Sequence, residues 1–179
     1  DALNNGADNI VISLGGIDSF DGGIGMMQAL GAQFYNDEGE LLDAREGAQV
    51  IKFIRRIDFS AIPQNFKDAH IQLMSDFSSK LYGKHSEIMK TYETHQLTRE
   101  KAAEIDNLIW YFSELVKNEM KIAMGPIERG GAGGGIAALL NGLYDAEILT
   151  SHELVNQITH LDDLVSQADL IIFGEGVKE

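Results

Sequence analysis

The chain contains no cysteine, has few basic residues and has no long apolar run. Without cysteine it can form neither a disulfide nor a thiolate metal site, and we expect a reducing, cytoplasmic location. Lys and Arg total 14 against 28 Asp and Glu, a formal charge of −14 that repels nucleic acid and anionic membranes. No apolar run reaches the roughly 18 residues needed to span a bilayer. These features argue against nucleic-acid and membrane partners.

The apolar patterns that are present alternate between strand-like and helical spacing. The 179 residues, 44% of them hydrophobic, suffice for one globular domain or somewhat more. Strands are predicted at residues 10–14, 33–35, 69–74, 146–149 and 170–173, and helices at 46–57, 98–122, 136–143 and from Ser151 onward. This alternation predicts an α/β fold with a mostly parallel sheet flanked by helices. We expect buried strands at 10–14, 71–74 and 170–173, a longest helix at 98–122 capped by Thr98, and no capping box at Ser151.

Residues 10–29, IVISLGGIDSFDGGIGMMQA, are the stretch around which the chain is organised. They predict a strand, a glycine-rich turn and a helix that begins near Gly22 or Gly23. Glycine allows backbone to approach a ligand closely, and a helix N-terminus favours phosphate or carboxylate. The candidate ligand-binding residues are Gly15, Gly16, Ser19, Gly22 and Gly23, with Asp21 as a residue that either orients a hydroxyl or caps the helix. The spacing matches neither a P-loop nor a dinucleotide fingerprint, and a tight turn without a ligand is the alternative.

Three further features lie just after predicted strands or before predicted helices. In the segment GGAGGG at 130–135, Gly133 and Gly134 either cradle a phosphate or allow a helix and the sheet to pack closely. Asp76 follows a predicted strand, where hydroxyl acceptors and Mg²⁺ ligands often lie, although it is equally a turn residue. Glu175 stands between two glycines, which would leave its carboxylate exposed at the sheet's edge or in a simple turn. All three are candidate site features.

Four motifs, taken in order, resemble the bacterial-type glycerate kinases. They are LGGIDSFDGGIGMMQALGAQF, MSDFSSKLYG, GGAGGGIAALL and ADLIIFGEG. That family typically shows GGSATNDGGxGMLQALGxxF, CDVTNPLxG, GAGAAGGLGAAL and ADLVITGEGRxD at similar spacing. The resemblance covers nearly the whole chain without large gaps.

The resemblance implies an ATP-dependent phosphorylation of glycerate that uses Mg²⁺. It implies catalytic roles for Asp21, Asp76 and Glu175, and substrate or phosphate binding by Ser19 and the glycines named above. The family has a longer chain with two α/β domains around the active site, so we expect residues 1–179 to be its central part. Residues 165–179 would then be where the chain returns to the other domain. The implied partners are a small hydroxy acid, a nucleotide and the rest of the same polypeptide.

Polar positions of the motifs depart from the family more than glycine and apolar positions do. Residues 17–20 read Ile-Asp-Ser-Phe where the family has Ser-Ala-Thr-Asn. The FGPQKG stretch falls on residues 91–96, so His95 stands at the lysine position, and Val177 replaces the arginine after Gly-Glu-Gly. His85 and His95 stand ten residues apart in a polar segment with no third partner at metal spacing, so they are more typical of surface histidines than of metal ligands. The alternative to an enzyme is therefore a catalytically degenerate relative that binds a hydroxy acid or nucleotide in a regulatory role.

Overall fold

The computed structural model describes residues 2–17, 19–172 and 174. Its strands are β1 (Asn9–Ser13), β2 (Gln33–Tyr35), β3 (Arg56–Asp58), β4 (His70–Met74) and β5 (Glu147–Leu149). Its α-helices are α1 (Ile24–Ala29), α2 (Gln64–Lys67), α3 (Glu87–Thr91), α4 (Arg99–Met120), α5 (Ile136–Tyr144), α6 (Ser151–Thr159) and α7 (Leu161–Gln167). Short 3-10 segments occupy Leu3–Asn5, Ala44–Phe53 and Ala132–Gly135.

The main sheet is parallel and has the strand order β1-β4-β5. Ile71 and Leu73 of the central strand β4 are both buried, because alternate residues of a strand point to the same face. Strands β2 and β3 form a separate antiparallel pair in which Phe34 lies opposite Ile57. The predicted α/β fold with a mostly parallel sheet flanked by helices is confirmed.

Two helices supply much of the core. Helix α4 buries a stripe at helical spacing, consisting of Ala102, Ile105, Ile109, Phe112 and Val116. The Thr98 side chain accepts a hydrogen bond from Lys101 N at 3.2 Å, so its predicted cap is confirmed. Helix α5 is buried over residues 136–140, as expected of an apolar helix enclosed by the fold. No helix in the described part of the chain combines the length and apolarity needed to cross a membrane.

The predicted buried strand at 170–173 is wrong over its described residues. Leu170, Ile171 and Ile172 lie outside any strand, and their exposed fractions are 77%, 49% and 88%. Residue 173 lies outside the described residues. An apolar run becomes a strand only where a neighbouring strand takes up its backbone hydrogen bonds. None of the described strands pairs with this run.

The helix predicted at 46–57 is found only in part, as 3-10 helix that ends at Phe53. The structure has a 3-10 segment over Ala44–Phe53 that is interrupted at Gly47, where φ is 78° and ψ is −160°. These angles are non-helical, so the segment is kinked and β3 follows in place of a continuing helix.

Two smaller predictions need correction. Strand β1 is only partly buried, with Val11 50% exposed, because Val11 lies on the same sheet face as Asn9 and Ser13, and all three residues are exposed there. Helix α6 does have a capping box, and its cap is Thr150 rather than Ser151. Thr150 N donates to Glu153 Oε2 at 2.7 Å, and Glu153 N donates to Thr150 Oγ1 at 3.1 Å.

Candidate functional site at the junction of two glycine loops

Asp21 holds the first glycine loop onto helix α1. Its carboxylate is 8% exposed, with Oδ1 accepting from Gly23 N at 2.8 Å and Oδ2 from Gly25 N at 3.0 Å. These bonds satisfy backbone donors at the helix start, where no intrahelical acceptor exists. Of the two alternatives in the sequence, the structure shows the helix-capping contact, and a catalytic role for Asp21 stays a prediction.

The second glycine loop, residues 130–135, packs directly on the first. Gly22 N donates to Gly134 O at 2.9 Å. A Cβ on Gly134 would overlap the Ser19 carbonyl oxygen, and a Cβ on Gly135 would lie 2.8 Å from Gly22 Cα. We call this contact, between residues 19–23 and 133–135, the glycine-loop junction. It needs glycine because backbone meets backbone there.

The glycines of the junction use several of their N–H groups internally. Gly22 N donates to the second loop and Gly23 N to Asp21, so neither points unpaired at a ligand. Gly133 is buried, and a Cβ there would lie 3.2 Å from Leu14 Cδ2. The close-packing interpretation of both loops is therefore supported by geometry, and phosphate binding at these glycines stays a prediction.

Gly15 and Gly16 form the open part of the first loop. Both are exposed, and a Cβ at either position would meet no atom within 4 Å. Ser19 is half-buried beside the junction, while residue 18 lies outside the described residues. Among the predicted loop positions, Gly15 and Gly16 leave the most room for a ligand to approach the backbone.

Asp76 lies beyond the carboxyl end of β4 and binds the start of α6. Its Oδ1 accepts from Ser151 N at 2.8 Å and from Ser151 Oγ at 2.9 Å. These hydrogen bonds, with the positive field of Arg129, lower the pKa of the exposed Asp76 carboxyl. Both bonds use Oδ1, so Oδ2 is the oxygen through which an ionised Asp76 could reach a ligand. Its site role stays a prediction.

Glu87 is a polar residue at the junction that sequence reasoning missed. It begins α3 and is half-buried, and its Oε2 is buried without a hydrogen-bond partner among the described residues. Burial raises the pKa of the Glu87 carboxyl, while a hydrogen bond from the Gly134 backbone and the charges of His95 and Lys90 oppose that rise. The surrounding residues 78–96 have no clear apolar period, so only a helix start at Ser86-Glu87 could have been predicted.

A buried aspartate on the longest helix fixes the position of Glu87. Asp106 on α4 accepts hydrogen bonds from Gly83 N at 2.9 and 2.8 Å and from Ser86 Oγ at 2.5 Å. Ser86 in turn caps α3 by accepting from Met89 N at 3.4 Å. The start of α3 is thus bound to α4, which holds Glu87 against the second glycine loop.

The remaining candidate features do not join this site. Glu175 lies outside the described residues. Across the described residues no three His, Asp or Glu side chains come together to hold a metal ion. A cavity of about 520 Å³ lies between α1 and residues 41–45, lined by Gln28, Leu42 and Arg45 among others. Its lining includes Gly25 of α1, close to the end of the first loop.

Comparison with known proteins supplies the family. The glycerate kinase family model matches residues 1–178. The chain belongs to the glycerate kinase family. A glycerate kinase of Halalkalibacterium halodurans is 31% identical over 176 residues, 98% of this chain and 46% of that protein. Glycerate 2-kinase of Escherichia coli K12 is 29% identical over 175 residues, 98% of this chain and 45% of the relative.

A solved glycerate kinase structure has the same fold. A Salmonella typhimurium LT2 protein assigned as glycerate kinase 2 superposes with a TM-score of 0.84 at 27% identity, over 94% of this chain and 44% of that one. The chain spans about half the length of the curated glycerate kinases it matches. The resemblance drawn from four motifs is confirmed at the level of the family.

Proposed function

We propose that this chain is the central part of a glycerate kinase that transfers a phosphoryl group from ATP to glycerate, with Mg²⁺, in the cytoplasm. The family match over residues 1–178 is the observation that carries the proposal. The junction between the two glycine loops supports it, because a phosphotransferase depends on accurate positioning of its reactants. The proposed partners are the hydroxy acid, the nucleotide and the rest of the polypeptide.

The described residues fit a nucleotide and its metal in a limited way. Mg²⁺ commonly binds through one or two carboxylates together with substrate phosphates, so a three-residue cage is not required. Asp76 fits that pattern, since its lowered pKa keeps it ionised and its Oδ2 is open. The exposed turn at Gly15 and Gly16 fits the approach of a phosphate to backbone. When bound, Mg²⁺ would supply charge neutralisation for the transferred group.

The second candidate function is a non-catalytic relative that binds a hydroxy acid or nucleotide. His95 in place of the family's FGPQKG lysine favours it, because the lysine ammonium of that motif is missing from this chain. His95 packs edge-on against Phe20 with ring centroids 4.9 Å apart, so it is part of the junction. The two candidates differ in turnover and share ligand binding.

The deciding measurement is a coupled ADP-release assay on the full-length polypeptide with glycerate and other hydroxy acids. We expect turnover of glycerate, and a loss of about ten- to a thousandfold in kcat for Asp76→Asn. Asparagine keeps an oxygen that can bind Ser151, so the fold should survive the change. The matched control is Asp68→Asn, which alters an exposed aspartate whose carboxylate accepts from Gln64 Nε2 at 2.7 Å.

Two outcomes would count against the kinase. Absence of ADP release with every hydroxy acid, while glycerate or nucleotide still binds, would leave only the non-catalytic relative. Equal kcat for Asp76→Asn and Asp68→Asn would remove Asp76 from the site while leaving the reaction intact.

A further inference from the structure

The unpartnered oxygen of Glu87 is the starting observation. Buried polar atoms in folded proteins almost always have a hydrogen-bond partner, because leaving one without a partner destabilises the fold. Oε2 of Glu87 is buried and has none among the described residues. It is the one buried side-chain oxygen or nitrogen in the described part of the chain with this property. A ligand atom would supply the missing partner.

The surroundings of Glu87 connect it to the candidate site. The Gly134 backbone and the His95 side chain lie near enough to lower the pKa of its carboxyl, against the rise that burial causes. Gly134 O accepts a hydrogen bond from Gly22 N, and the His95 ring packs on the Phe20 ring. The carboxyl therefore lies where both glycine loops meet.

The same surroundings indicate the chemistry of the ligand group. The Lys90 ammonium lies near enough to affect the carboxyl electrostatically, so a further cation there would be repelled. Lys90 Nζ donates to Ser78 O at 3.1 Å and makes no ion pair with Glu87. Burial favours the protonated carboxyl, and a hydroxyl can donate to the ionised carboxylate or accept from the O–H of the protonated carboxyl. A hydroxyl group fits better than an amine or a metal ion.

We propose that Glu87 binds a hydroxyl group of the substrate at the glycine-loop junction, with Oε2 as its hydrogen-bonding atom. The assignment of that substrate as a hydroxy acid rests on the proposed function. Glu87 acts here as a positioning residue that selects a ligand with a hydroxyl in this place. Asp106, through Gly83 and Ser86, holds it there before the ligand arrives.

The test measures binding by calorimetry on the full-length polypeptide, with glycerate and two analogues that each lack one hydroxyl, lactate and 3-hydroxypropionate. We expect Glu87→Ala to weaken glycerate binding by roughly tenfold or more, and Glu87→Gln to restore most of it. One analogue should bind wild type and Glu87→Ala about equally, because the hydroxyl that Glu87 holds is already missing. In turnover assays the loss should fall on KM more than on kcat.

Matched controls separate binding from folding. Glu46→Gln, at an exposed glutamate, should leave glycerate affinity unchanged, and melting curves should show each variant folded. Equal glycerate affinity of wild type and Glu87→Ala would overturn the proposal. The proposal would also be overturned if Glu87→Ala lost the same factor in affinity for glycerate and for both analogues, or if the wild-type protein did not bind glycerate. If wild type binds glycerate without turnover, the kinase proposal fails and the Glu87 comparison still decides this one.

Discussion

At the scale of single residues, the carboxylates predicted from the sequence, Asp21 and Asp76, differ from Glu87 in their hydrogen-bond partners. Asp21 and Asp76 both satisfy backbone donors at helix starts. Glu87 instead has a buried oxygen without a described partner. The sequence shows that an aspartate follows a strand, but it does not show whether that carboxylate is used by the fold. Burial of Glu87 arises from contacts with residues far along the chain, so no local pattern signals it.

The raised pKa of Glu87 predicts a pH-dependent cost to stability. A carboxyl whose folded pKa lies above its unfolded value binds its proton more tightly when folded, so stability falls as pH rises through that window. Glu87→Gln removes this titration. We therefore expect the melting temperature of the variant, relative to that of wild type, to increase between pH 4 and pH 8.

Glu153 is the control with the opposite sign. Its pKa is lowered by hydrogen bonds from the Thr150 backbone and side chain, so its contribution is present at neutral pH and lost on acidification. The melting temperature of Glu153→Gln should therefore lie below that of wild type at pH 8 and approach it near pH 4. If the melting temperatures of Glu87→Gln and wild type differ by the same amount at every pH, that result would contradict the raised pKa of Glu87.

At the scale of elements, helix capping gives a quantitative prediction. Thr98 caps the 22-residue helix α4, and its side chain accepts from Lys101 N. We expect Thr98→Ala to lower the free energy of unfolding by about 1 kcal/mol in urea titrations. Thr94→Ala is the control because Thr94 is exposed and lies outside a helix. An equal effect of both substitutions would show that the cap contributes nothing.

Sequence patterns predicted the elements whose signals are local. Helix α4 has a cap and a long apolar stripe, and β2 and β4 have short apolar runs bounded by turns, so all three were predicted close to their observed bounds. Residues 46–57 have helical spacing too, but Gly47 adopts a non-helical conformation that spacing does not reveal. The run at 170–172 failed because strand formation depends on a partner strand elsewhere in the chain.

The same limit applied to the candidate site. The two glycine loops were found because glycine clusters are visible in the sequence, although their mutual contact was not foreseen. Glu87 and Asp106 were missed because they are linked through tertiary hydrogen bonds. Asp106 accepts from Gly83 and Ser86, about 20 residues earlier in the chain, and Ser86 is the residue before Glu87. Hydrogen bonds between residues this far apart produce no periodic pattern that could be recognised in a single sequence.

At the scale of the whole molecule, the chain has a substantial core together with exposed apolar side chains. The exposed ones include Val11 on β1 and Leu170 and Ile172 near the described end. We expect residues 1–179 made alone to fold, by circular dichroism, yet to release no ADP with glycerate. The proposed site needs groups from both sides of a cleft to orient reactants and exclude water. The full-length polypeptide assayed in parallel is the control, and full turnover by 1–179 would contradict the proposal that it is a central part.

The junction between the loops also determines how these positions can evolve. At Gly22, where φ is 69° and any side chain strains the backbone, the steric obstacle to a larger residue is the Phe112 ring, 3.0 Å from a Cβ. That ring belongs to a side chain, which can be replaced by a smaller one. At Gly134 the obstacle is the Ser19 carbonyl, which every amino acid carries. A second-site substitution that trims the facing side chain can therefore relieve the contact at 22, though not the backbone strain there, and cannot relieve the contact at 134. Drift at 134 is blocked even when the rest of both loops diverges.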